Sequence, residues 1–136
     1  MFVGQRSRKR AIHLTVGRTM KTMYMRYLAL AKTVHESDRH LTAVDETAKR
    51  LLEIIALSHA ENRPLTVSAA MALEPIASPG TIHRKLDMLR ELGLIDQIFQ
   101  GDNRRTKYLI PTRVSDDYFD NLGRVLIEAV TIESGA

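Results

Sequence analysis

The stretch SPGTIHRKLDMLRELGLIDQIFQGDNRRTKYLIPT, Ser78 to Thr112, decides how the whole chain is to be read. Its first half carries the punctuation of a helix. Ser78 suits an N-cap, because its hydroxyl can accept an orphan N–H of the first turn. Pro79 suits the first helical position, where a missing N–H costs nothing. Gly93 suits the left-handed residue that closes a helix. Between them Ile82, Leu86 and Leu89 recur at helical spacing and define an apolar side. At about 100° per residue, Gly80, Arg84 and Asp87 fall opposite, with Thr81, His83 and Lys85 on the flanks. After Gly93 the period changes. Leu94 to Phe99 and Thr106 to Ile110 read as two short strands around Gln100 to Arg105, whose Gly-Asp-Asn core is turn-forming. Pro111 ends the hairpin.

Working outward, Thr66 is the expected N-cap of a short helix, Val67 to Leu73, stopped by Pro75. Ahead of it, Thr42 and Asp45 fit a capping box opening a helix that runs to about Asn62. Its buried side is Val44, Ala48, Leu51, Leu52, Ile55 and Ala56, and Pro64 ends it. The first helix spans about 15–36. Its stripe, Val16, Met20, Met23, Tyr27, Leu30 and Val34, advances by alternating steps of four and three, and Tyr24, Leu28 and Ala31 widen it. The last helix spans about 115–133, with Phe119, Leu122, Leu126 and Ala129 or Val130 on one side. The expected fold class is mainly α with a small β-hairpin wing: a winged helix-turn-helix in the order α-α-α-α-β-β-α. Residues 1–14 form a basic N-terminal arm with Arg6, Arg8, Lys9 and Arg10. Residues 15–136 form one winged-helix domain whose flanking helices, 15–36 and 115–133, are the dimerisation candidates.

Composition narrows the function. A chain of 136 residues has the size of one domain, and its net charge of +4 favours polyanionic partners. There is no cysteine, which rules out disulfides, thiolate zinc sites, a Cys nucleophile and thiol-based redox sensing. No apolar run approaches the roughly 18–20 residues that cross a bilayer, and no apolar segment of a secretory signal follows the N-terminal cations. A cytoplasmic location, away from the membrane, is expected. No Gly-rich phosphate loop, His-Glu-x-x-His pair or nucleophile elbow occurs, so no enzyme activity and no cofactor are expected. His35 and His40 flank Glu36 and Asp38 but lack helix-type ligand spacing. They are read as solvated side chains, and no metal site is expected.

The chemistry of the central stretch is that of a DNA reader. Arg84 can make a bidentate contact to guanine, and Ser78, Thr81 and His83 can hydrogen-bond bases or phosphates. Gly80 lets the backbone approach, and Lys85 adds a cation. Arg104, Arg105 and Lys107 place positive charge on a protruding ribbon, where an Arg can enter a narrow A·T minor groove. Asp87 is disfavoured near phosphate and is expected to be tied to an Arg or Lys. Taken alone, the helix reads more simply as an amphipathic helix with a solvated charged face, whereas the cations of the hairpin tip favour DNA contact. Their succession favours double-stranded DNA.

Leu65-Thr66-Val67-Ser68, the run Ser78 to Arg84, Leu86-Asp87-Met88-Leu89, Glu91 to Ile95, the wing Asp102-Asn103-Arg104-Arg105 and the closing Leu109-Ile110-Pro111-Thr112 together resemble the MarR family of bacterial regulators. The similarity covers about 42–112 well and the flanking helices only in kind. It implies a homodimer whose terminal helices form the interface, through Met20, Met23, Tyr27, Leu30, Phe119, Leu122 and Leu126. Two winged lobes would then regulate transcription from a pseudo-palindromic operator. The recognition role falls on Ser78, Gly80, Thr81, His83 and Arg84, and the wing role on Arg104 and Arg105. The chain departs from the family at three places. Asn103 replaces the Asp of the wing motif, Pro75 and a longer turn replace a Gly-containing connection, and one C-terminal helix stands where many relatives have two.

Met20, Met23 and Met25 with Tyr24 and Tyr27 are more simply core, but they are also candidates to line a pocket for a small-molecule effector, which the sequence does not identify. The alternative to a regulator is a winged-helix module for protein interaction or assembly, with the same cations facing an acidic protein surface.

Overall fold

Capping decides where the helices of this chain begin, and apolar periodicity decides which side each one buries. The computed structural model describes residues 2–73 and 75–134, with side chains described over 19–73 and 75–131. Its elements are α1 (Phe2–Ser37), α2 (Glu46–Ala60), α3 (Val67–Met71), α4 (Pro79–Glu91), β1 (Ile95–Gln100), β2 (Asn103–Pro111) and α5 (Arg113–Ser134). The order is the expected one. None of these helices is long and apolar enough to cross a membrane among the described residues.

The elements fall into two compact units, 1–36 with 120–136 and 37–119. The second holds the hairpin and a continuous apolar core. Leu51, Leu52 and Ile55 of α2, Ile82 and Leu89 of α4, Leu94, Ile95 and Leu109 are all buried, as is Ala70 of α3. β1 and β2 pair antiparallel, Ile95 opposite Pro111 through Ile98 opposite Tyr108. A third edge, absent from the sequence reading, joins them: Thr66 bridges to Tyr108, and Leu109 N–H donates to Leu65 C=O at 2.8 Å. The residues leading into α3 are thereby stitched to the hairpin.

Local hydrogen bonds account for the joints. Asp45, Thr66 and Ser78 cap α2, α3 and α4 by accepting the N–H groups of Ala48, Ala69 and Thr81. Gly93, at φ +74, closes α4, with Gly93 N–H on Arg90 C=O and Leu94 N–H on Leu89 C=O, the paired bonds of a Schellman motif. The start of α5 is tied back to this corner. The Thr112 hydroxyl donates to Gly93 C=O at 2.6 Å, and buried Ser115 donates to Leu94 C=O.

Three expectations need correction. Thr42 does not open α2: its hydroxyl donates to Arg39 C=O in a turn, and Asp45 is itself the cap. Val44 is therefore buried ahead of the helix rather than on it. The first helix begins at Phe2 rather than near 15, so the backbone of the expected arm is helical, consistent with a stretch rich in Arg and Lys and free of proline. The side chains of Arg6, Arg8, Lys9 and Arg10 lie outside the described residues. On α5, Tyr118, Val125 and Ala129 are the buried apolar residues among those described, whereas Phe119 and Leu122 are half-buried and Leu126 is 50% exposed.

In the first unit, α1 and the later part of α5 flank an apolar groove of about 470 Å³. Met20, Met23, Tyr24 and Tyr27 line one wall, and Leu126, Ala129 and Val130 the other. Tyr24 and Tyr27 pack ring to ring with centroids 6.2 Å apart. Leu30 is half-buried, and Met25 and Leu28 are largely exposed.

Candidate nucleic-acid interface

The recognition candidates lie on the exposed side of α4 because Ile82, Leu86 and Leu89 turn the other side into the core. Ser78, Thr81 and Arg84 form a hydrogen-bonded row. The Ser78 hydroxyl caps Thr81 N–H and donates to Thr81 Oγ1 at 3.0 Å, and Arg84 Nη2 donates to that same Oγ1 at 3.1 Å. Thr81 thus steadies the guanidinium by one N–H and leaves its other donors available, an arrangement suited to bidentate contact with guanine or phosphate. Gly80 is exposed, and a Cβ there would meet nothing within 4 Å. Its glycine leaves open space at the helix N-terminus rather than relieving an internal clash.

Beside this row, α3, α4 and the hairpin enclose an open groove of about 460 Å³. His83, Asp87 and Arg90 line it from α4, and Arg105, Thr106 and Lys107 from β2. Thr66, Val67 and Ser68 line it from the start of α3. Arg90 was not foreseen as part of the site, although it continues the stripe of His83 and Asp87 at steps of four and three. Gln97 of β1 joins for a similar reason: its side chain reaches the same groove from the neighbouring strand.

Two expected roles are redistributed. Asp87 is held by a histidine rather than by Arg or Lys, with His83 Nδ1 3.4 Å from its carboxylate one turn away. Lys85, expected to face DNA, is instead paired with Asp45, the N-cap of α2. The Lys85 side chain is only 26% exposed. The bond to Lys85, with Ala48 N–H second, lowers the Asp45 pKa below the ordinary carboxylate value. The pair fastens the start of α2 to the middle of α4.

The two wing arginines are not equivalent. Arg105 lines the groove, and its backbone N–H donates to Asn103 Oδ1 at 3.0 Å. Arg104 lies over the Phe99 ring, its guanidinium carbon 5.6 Å from the centroid. Asp102 forms no ion pair with either arginine among the described residues, so it does not substitute for the acidic wing residue that Asn103 replaces. Asn103 orders the turn through its amide instead, also reaching Thr106 Oγ1 at 3.4 Å. Among the described residues no group of His, Asp and Glu is arranged to hold a metal, and His40 is 3.3 Å from the Asp38 carboxylate.

No family model matches the chain. No curated protein matches it either. Solved structures do. Rv1404 from Mycobacterium tuberculosis superposes with a TM-score of 0.59 at 16% identity, covering 92% of this chain and 80% of that one. A MarR-like transcriptional regulator from Thermotoga maritima gives 0.57 at 16% identity, covering 87% and 79%. The YusO protein from Bacillus subtilis gives 0.54 at 17% identity, covering 95% and 82%. At such identities the likeness is one of fold, and the chain shares the winged helix-turn-helix fold of these structures.

Proposed function

We propose that this protein is a DNA-binding transcriptional regulator, cytoplasmic and bacterial, that acts as a homodimer on a pseudo-palindromic operator. One observation carries the reading. His83, Asp87 and Arg90 of α4 and Arg105 and Lys107 of β2 line one groove within a single unit, and the Ser78–Thr81–Arg84 row lies on the exposed side of that same helix, as two contacts to one duplex require. Arg84 reads a base edge, Thr81 and Ser78 hold it and contact phosphate, and His83 with the exposed start of α4 meets the backbone. Arg105 and Lys107 neutralise phosphates along the groove, and Arg104 reaches from the wing. Lys85 acts by holding α4 in place.

Dimerisation is the second part of the proposal. The apolar groove of the first unit, with Met20 58% and Leu126 50% exposed, is the kind of surface that a second copy covers. Such a dimer presents its two α4 helices roughly 34–36 Å apart, one turn of duplex.

The test is binding of purified protein to genomic DNA fragments, followed by a salt series on the enriched sequence. Affinity should fall by orders of magnitude on a modest rise in salt, with a slope set by the phosphates neutralised. Arg84→Ala combined with Arg105→Ala should abolish specific binding. Full affinity in that double variant sinks the proposal and leaves the interaction module, with an acidic protein as its partner.

A further inference from the structure

The wing carries an aromatic residue that neither the caps nor the core explains. Phe99 stands at the end of β1 and is 37% exposed, yet it does not extend the ladder regularly. Ile98 faces Tyr108 and Gln100 faces Asn103, so the single residue Phe99 stands opposite the four residues 104–107 of β2. A bulge of this kind re-aims the side chains of the longer strand. Here the re-aimed segment is Arg104-Arg105-Thr106-Lys107, the most basic run of the hairpin. Gly101, at φ +58, turns the chain three residues ahead of it, a conformation that few side chains tolerate.

The guanidinium of Arg104 rests on the Phe99 ring at a separation within the usual reach of a cation–π contact. The geometry of that contact matters. An acidic partner would engage the N–H edge of the guanidinium and cancel its charge. An aromatic ring attracts the cation without neutralising it, leaving the charge for another ligand. Asn103 is neutral and spends its Oδ1 on the backbone N–H of Arg105, so it too leaves the charge of Arg104 intact.

We propose that Phe99 is a positioning residue of the wing: its ring holds the Arg104 guanidinium in place, so that the cation is presented with its charge intact to a DNA phosphate or minor-groove base edge. The proposal rests on the DNA-binding reading. It adds that the wing is preorganised by stacking in place of an ion pair, which lowers the ordering cost of binding.

Side-chain NMR of the free full-length protein tests the grip without DNA. Arg104 side-chain protons should be displaced upfield by the ring, and Phe99→Leu should abolish that displacement while leaving the α2 and α4 signals in place. No displacement in the unmodified protein overturns the proposal, whatever the chain does with DNA. Binding to a fluorescent duplex carrying an A·T tract, followed over a salt series, tests the consequence. Phe99→Leu should weaken binding by about two- to fivefold, the size expected for an exposed cation–π contact. Phe99→Tyr, which keeps a ring, should restore it. In the Arg104→Ala background, Phe99→Leu should cost nothing further. Equal losses with and without Arg104 mean that Phe99 acts by simple packing, and they overturn the proposal. A protein that shows the ring displacement but binds no duplex overturns the DNA reading, and Phe99's role with it, while leaving the grip established as a feature of the wing.

Discussion

Helices α4 and α1 are both amphipathic in sequence, but among the described residues α4 buries its apolar side while α1 leaves much of its own exposed. Ile82, Leu86 and Leu89 of α4 are 0–2% exposed, whereas Met20, Tyr24 and Leu28 of α1 are 58%, 56% and 41% exposed. The same contrast recurs within α5, where Ala129 is buried and Leu126 and Val130 are half exposed or more. Helical periodicity therefore specifies a side, not the surface that covers it. In the second unit that surface is α2 and the hairpin. In the first, the apolar side borders a groove that remains open, which is why a second copy is the proposed occupant.

Substitutions in the two regions should separate these roles. The largest effect belongs to the closed core. Leu52→Ala removes a fully buried side chain from α2 and should lower the unfolding free energy by about 2–5 kcal/mol, read by denaturant titration. A loss no greater than that of an exposed residue would break the comparison at its buried end. Next comes the open groove. Leu126→Asp should weaken self-association by about 2–4 kcal/mol, the range of a central interface residue, and sedimentation should show monomer in place of dimer. An undisturbed dimer would move the interface to another surface.

A third effect, of similar or smaller size, lies on the exposed side of α4. Arg84→Ala should cost about 1–3 kcal/mol of DNA affinity and relax preference at one base pair, whereas equal losses on all sequences would reduce Arg84 to a phosphate contact. The smallest effect concerns pH. The Asp45 pKa is depressed in the folded protein by Lys85 and by the Ala48 N–H. Its contribution is present above the unfolded-state pKa and is lost as pH falls through the lower folded value. Asp45→Asn should therefore reduce stability at neutral pH and flatten its acid dependence in thermal unfolding. An unchanged acid slope would show that the Lys85 pair does not fasten α4 to α2.

Much of the winged unit was legible because its signals are local. Ser78, Pro79 and Gly93 bracket α4 as read, and Thr66 caps α3. The start of α2 is ambiguous in the sequence because two residues of capping type, Thr42 and Asp45, lie close together. Side-chain chemistry alone does not choose between them; the burial of Leu41 and Val44 ahead of the helix does. The candidate site was legible in part. Ser78, Thr81 and Arg84 are brought together, while Lys85 is withdrawn and Arg90, Gln97 and Phe99 are added.

What the amino-acid order settles alone is therefore the succession of elements and the side that each buries. A cap, a Schellman turn or an apolar stripe is made by residues within a few positions of one another. What required the folded chain is every relation across distance. Lys85 meets Asp45 across 40 positions, Tyr108 pairs with the residue that caps α3, and the slipped ladder sets Phe99 beneath Arg104. These depend on strand register and on how helices pack. Both are fixed by the joint filling of a core to which no single segment holds the key.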